Sequence, residues 1–100
     1  MRFYSTEGKS PLVSFRDALF NGLAPDGGLY MPEFIPSFPE KFFSNLPSIQ
    51  PQTIGAQVTS AFIHEILPEE LENITARAWN FPLPLVRLEE GMYLLELFHG

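Results

Sequence analysis

Leu85-Val86-Arg87-Leu88-Glu89-Glu90-Gly91-Met92-Tyr93-Leu94-Leu95-Glu96-Leu97-Phe98 decides the fold class, because two apolar runs flank a polar connection that contains glycine. Runs joined in this way by Glu89-Glu90-Gly91-Met92 predict an antiparallel hairpin with strands Leu85 to Leu88 and Tyr93 to Phe98. Arg87 and Glu96 are expected to face one another across it. The second run is apolar except at Glu96, the pattern of a strand covered on both faces within a larger sheet. Something must therefore cover the hairpin. The expected fold class is α+β, a short N-terminal strand and several helices packed on the C-terminal β-hairpin.

Upstream, Thr53 opens the clearest helix, since Ile54, Val58, Phe62 and Ile66 recur every fourth residue and Ala56, Ala61 and Ile63 widen the apolar face. Leu67-Pro68-Glu69-Glu70 ends that helix and starts another: proline suits a first turn, and the acids complement the N-terminal dipole. Leu71, Ile74 and Ala78 are expected to form its buried face, with Arg77 near its end and Trp79 or Phe81 completing the contact between the helices. Glu69 and Glu70 are neighbours and point apart on a helix, so they read as solvated helix-starting acids and not as an acid/base dyad.

Further back, five prolines from Pro32 to Pro51 exclude long regular elements, while Phe34, Ile35, Phe38, Phe42 and Phe43 are too apolar for a solvated linker. An ordered loop pinned by aromatics is expected, with one helical turn from Pro39 to Phe43. Arg2 to Ser5 is a candidate strand, and Ser14, three residues before Asp17, is placed to cap a short helix that ends at Gly22. Next comes Gly22-Leu23-Ala24-Pro25-Asp26-Gly27-Gly28-Leu29-Tyr30-Met31-Pro32, where Pro25-Asp26-Gly27-Gly28 is turn chemistry and Leu29 to Met31 a short strand. Two roles are open to Asp26, Gly27 and Gly28: a structural turn, or a substrate-entrance turn whose glycine amides face an anion. The segment lacks the spacing of the known phosphate-binding glycine loops.

Composition narrows the function classes. One hundred residues make a single domain, 1–100, able to bury about two thirds of its unfolded surface. Six Lys+Arg against twelve Asp+Glu leave a net charge of −6 without a basic cluster, which disfavours nucleic acid as a partner. There is no cysteine, and His64 and His99 show no ligand spacing, so no metal site is expected. No run approaches a membrane span and residues 1–7 contain no secretory apolar core, so the expected location is cytoplasmic. Charged residues are 18% of the chain, few enough to hint at covered surface.

Ser14-Phe15, Gly22 to Pro32 and Glu96-Leu97-Phe98-His99-Gly100 stand in the order found in threonine synthases. In that family a Ser-Phe pair leads a helix, a segment like G-L-A-x-D-G-G-L-Y-x-P follows, and E-L-F-H-G opens the motif E-L-F-H-G-P-T-x-A-F-K-D. The chain resembles the N-terminal region of a threonine synthase over essentially all 100 residues. The resemblance implies a fold type II enzyme that uses pyridoxal 5'-phosphate to convert O-phospho-L-homoserine and water to L-threonine and phosphate. It places the Schiff-base lysine beyond Gly100, in catalytic domains of the same chain, with residues 82–100 at the junction. Glu96, Phe98, His99 and Gly100 are then expected beside the active site, His99 either donating to phosphate and shuttling protons or bonding backbone at the mouth of the strand. No catalytic residue is expected within the segment, which should bind no cofactor by itself and should self-associate through its uncovered strand. Two alternatives stay open: a non-catalytic acidic interaction module, or the front part of a related lyase for another phosphorylated amino acid. The sequence following Gly100 separates enzyme from module.

Overall fold

The computed structural model describes residues 1–98. Along the chain it has β1 (Phe3–Ser5), α1 (Phe15–Asn21), β2 (Tyr30–Pro32), α2 (Glu40–Asn45), α3 (Pro51–Phe62), α4 (Pro68–Ala78), β3 (Leu85–Glu89) and β4 (Met92–Leu95), with a 3-10 turn at Leu46–Ser48. The strands form two separate antiparallel pairs, β1 with β2 and β3 with β4.

In the first pair Phe3 lies opposite Pro32, Tyr4 opposite Met31 and Ser5 opposite Tyr30. Phe3 also exchanges both backbone hydrogen bonds with Val13, at 2.9 Å each, so the chain from Val13 flanks the other edge of β1. Ser14 caps α1 as the sequence predicts: its Oγ accepts the Asp17 N–H at 3.1 Å and donates to Asp17 Oδ2 at 2.6 Å. Gly22, at φ 71°, ends the helix and returns its N–H to the Ala18 carbonyl. Between Pro32 and Pro51, Phe38 stacks on Phe42 with centroids 4.5 Å apart, and Phe43 meets Phe42 edge-on. Phe34 and Ile35 nonetheless remain exposed.

The most extensive contact joins α3 and α4. Proline occupies the first turn of each, where its missing N–H costs nothing. The anticipated apolar stripe to Ile66 is cut short, since α3 stops at Phe62 and Ile63 is already extended. His64 Nε2 donates to the Ala61 carbonyl at 3.1 Å, satisfying one of the carbonyls left over at a helix end. The buried face of α4 is also rotated from the expected one: Leu71 and Thr75 are buried, whereas Ile74 is half exposed and Ala78 is exposed. Thr75 tolerates burial because its Oγ1 donates back to the carbonyls of Leu71 (3.0 Å) and Glu72 (3.1 Å). Trp79 completes the helix contact as predicted, its ring covering Gly55 so closely that a Cβ there would lie 2.9 Å from Cη2.

The hairpin forms, but its details differ. β3 continues through Glu89 and pairs it with Met92, so the connection is Glu90-Gly91, with Gly91 at φ 76°. Tyr93, not Glu96, lies opposite Arg87, whose Nε donates to the Glu89 carbonyl at 3.3 Å. β4 ends at Leu95, after which Glu96 N–H still reaches the Pro84 carbonyl at 3.0 Å. The helices do not pack on this hairpin in any extended contact, and every residue of β3 and β4 is exposed. A radius of gyration of 16.6 Å, against about 13 Å for a compact chain of this length, expresses the same open arrangement.

Candidate functional site

The loop after α1 is a three-residue turn closed by Ala24 and Gly28, the N–H of Ala24 donating to the Gly28 carbonyl at 2.9 Å. Pro25 sets the first φ, Gly27 takes φ 85°, and the Gly27 N–H bonds the Ala24 carbonyl at 2.8 Å. Asp26 lies at the centre. Its Oδ1 accepts from Ser5 Oγ at 2.6 Å and from the Gly28 N–H at 3.1 Å, and its Oδ2 accepts from the Lys9 N–H at 3.0 Å. One carboxylate thus ties β1, the turn after β1 and the glycine loop together.

The electrostatics follow from that geometry. The Ser5 hydroxyl, then the amides and hydroxyl supplied by Gly28, Ser10 and Lys9, hold the Asp26 carboxyl far below the usual carboxylate range, against a smaller opposing effect of desolvation. Both glycine amides are engaged inside the turn, so neither is offered to an external anion. Gly28 is required for a different reason from the one its position in the motif implies. Its φ is not positive, but a Cβ there would overlap Ser5 Oγ and lie 2.9 Å from the Glu7 nitrogen. Ser5, 1% exposed, is the participant that sequence reasoning passed over; nothing in its local context marks it, because its partner is 21 residues away.

The hairpin-end residues do not meet this turn in any described contact. Glu96 is half-buried beyond the end of β4, and Phe98 is 80% exposed. His99 and Gly100 lie outside the described residues. The chain's two lysines, Lys9 and Lys41, are exposed, and neither stands in the desolvated or cation-flanked setting that prepares a lysine for Schiff-base chemistry. The described residues therefore supply no buried lysine to anchor a pyridoxal cofactor. They contain no group of three or more His, Asp or Glu side chains able to hold a metal ion, and no helix long and apolar enough to cross a membrane.

A different surface stands out by its chemistry. Leu85, Leu88, Met92, Tyr93, Leu94 and Leu95 expose apolar side chains around the hairpin, and Leu97 and Phe98 continue the surface. The accessible surface totals 7709 Å², roughly 2,000 Å² above that of a compact monomer of 11.3 kDa. That excess belongs to the chain as a whole; at the hairpin, exposed apolar side chains beside an open strand edge are the signature of an interface.

Comparison with known proteins agrees with the geometry. The family profile "Threonine synthase N terminus" matches residues 2–79. "Threonine synthase-like 2" of Mus musculus is 36% identical across the whole chain, which spans 22% of that protein. The crystal structure of threonine synthase from Escherichia coli superposes with a TM-score of 0.91 at 34% identity, over 100% of this chain and 24% of that one. The structure of PLP-bound threonine synthase from Brucella melitensis gives the same TM-score at 35% identity, over 100% and 23%. The chain thus spans about a quarter of the length of the relatives it matches.

Proposed function

Because the chain belongs to the threonine synthase family, as the N-terminal domain of such an enzyme, we propose that the protein it forms converts O-phospho-L-homoserine and water to L-threonine and phosphate. The observation that carries this reading is the match of the whole chain, in sequence and fold, to enzymes of that name. It also disfavours an unrelated acidic binding module. Pyridoxal 5'-phosphate is the cofactor assigned to the full-length protein, supported by its presence in the Brucella melitensis structure. When bound, it supplies the electron sink for eliminating phosphate as a lyase and for adding water. The cytoplasm is the proposed location.

The segment's own part is structural. The Asp26 network holds the N-terminal sheet, and residues 82–100, which include the hairpin, are assigned as the junction to the catalytic domains. Their apolar surface needs a cover, and catalytic domains of the same chain supply one. Glu96, Phe98, His99 and Gly100 are proposed to lie near the reacting phosphate, His99 as its donor; Asp26, Gly27 and Gly28 are assigned to support the fold. No step of the reaction is assigned to residues 1–98.

The test is release of inorganic phosphate from O-phospho-L-homoserine, with L-threonine formed in equal amount by the full-length protein. The similarity to "Threonine synthase-like 2" favours one second reading, a related lyase acting on another phosphorylated amino acid. Phosphate release without threonine from a panel of such substrates would select it. Inactivity toward the whole panel by cofactor-loaded, folded protein overturns both.

A further inference from the structure

A cavity of about 340 Å³ opens between α1 and the connection from α3 to α4, lined by Phe15, Arg16, Leu19, Phe20, Glu65 and Ile66. It has a charged end and an apolar end. Phe15 and Arg16 begin α1, and Leu19 and Phe20 follow one turn later, about 6 Å along the axis. Glu65 stands at the charged end, since its Oε1 accepts the Phe15 N–H at 3.3 Å. That contact fixes one carboxylate oxygen within a residue of Arg16 and leaves the other to accept a further bond. Arg16 and Glu65 are both exposed and, among the described residues, they form no ion pair with each other or elsewhere.

We propose that this cavity binds an α-amino acid with an apolar side chain. The ligand's carboxylate meets the Arg16 guanidinium, its ammonium meets the free oxygen of Glu65, and its side chain lies against Leu19, Phe20 and Ile66. A zwitterion satisfies both charges at once, whereas a simple acid or amine leaves one of them unanswered. The distance of one helical turn from the charged end to Leu19 and Phe20 suits a side chain of leucine size. The Phe15 N–H is already spent on Glu65, so the anion is held by a side chain and not by the helix terminus. The cavity shares no residue with the hairpin or the Asp26 network, and the inference stands independently of the reaction proposed above.

The experiment is a calorimetric titration of the full-length protein with L-leucine, beside 4-methylpentanoate and 3-methylbutylamine, which each lack one of its charged groups. Saturable binding of L-leucine is expected, with both analogues weaker by at least about tenfold. Arg16→Gln and Glu65→Gln should each weaken leucine binding by a similar factor. Glu65→Gln keeps a side-chain oxygen for the Phe15 N–H, so an unchanged melting temperature is the control for folding. No saturable binding, as when another part of the protein covers the cavity, overturns the proposal. Binding that either variant leaves unchanged overturns it as well, because leucine then sits elsewhere. Phosphate release is scored separately in the same samples without leucine, and Arg16→Gln should retain it.

Discussion

Gly28 and Gly27 are neighbours with different requirements, and substitution separates them. Gly28→Ala places a Cβ against Ser5 Oγ and the Glu7 amide, and is expected to cost about 1–3 kcal/mol by overpacking, read by denaturant unfolding. Gly27→Ala meets nothing within 4 Å, so its cost is the strain of φ 85°, about 1 kcal/mol. Equal losses at the two sites would show that backbone conformation, not close approach, governs both. Asp26 predicts a pH dependence. Its folded-state pKa is depressed, so its stabilisation is complete at neutral pH, begins to fade as pH falls below the ordinary value near 3.8, and is gone once the folded carboxyl protonates. Asp26→Asn should remove that part of the acid unfolding limb; an unaltered limb would assign acid sensitivity to other carboxylates.

Among the elements, the α3–α4 pair includes a close contact between a small residue, Gly55, and a large one, Trp79. Alanine is the better helix former by about 1 kcal/mol, so Gly55→Ala would stabilise an isolated α3. In the folded chain it should destabilise by about 1–3 kcal/mol, because the new Cβ meets the Trp79 ring. Trp79 is the chain's one tryptophan, so its emission should shift to the red as the ring leaves the helix. A rise in melting temperature with unchanged emission would mean that propensity outweighs packing there. Gln52 gives the pair a second tie, its Nε2 donating to the Trp79 carbonyl at 2.6 Å.

For the whole molecule, the question is what becomes of a hairpin that its own helices leave uncovered. Expressed as residues 1–100, the chain is expected to form concentration-dependent dimers or larger species in sedimentation, through the edge and apolar faces of β3 and β4. Leu95→Lys or Leu97→Lys should weaken that association and leave the helical circular dichroism of α3 and α4 intact. A strictly monomeric chain at high concentration, with β4 protected from hydrogen exchange, would show that the hairpin is covered from within. If catalytic domains cover this surface, as proposed above, either substitution in the full-length protein should lower stability and not merely change solubility.

Sequence alone determined the local features here, because each depends on chemistry within a few residues. Ser14 caps α1 through Asp17, Gly22 ends it, Pro25-Asp26-Gly27 turns the chain, and Pro68 with Glu69 and Glu70 starts α4. The family was legible too, from the order of three short motifs spread over the chain. Tertiary structure decided what depends on distant partners. Ser5 joined the Asp26 network because Asp26 folds back onto it from 21 residues away, and Glu65 met α1 across 50 residues. Thr75 was buried in place of Ile74 because helix rotation is set by the facing helix, and periodicity does not report which small residues that helix presents. The hairpin is the sharpest case. Its apolar pattern predicts cover on both faces, but a pattern names no partner, and in the fold α3 and α4 pack on each other and leave both strands exposed.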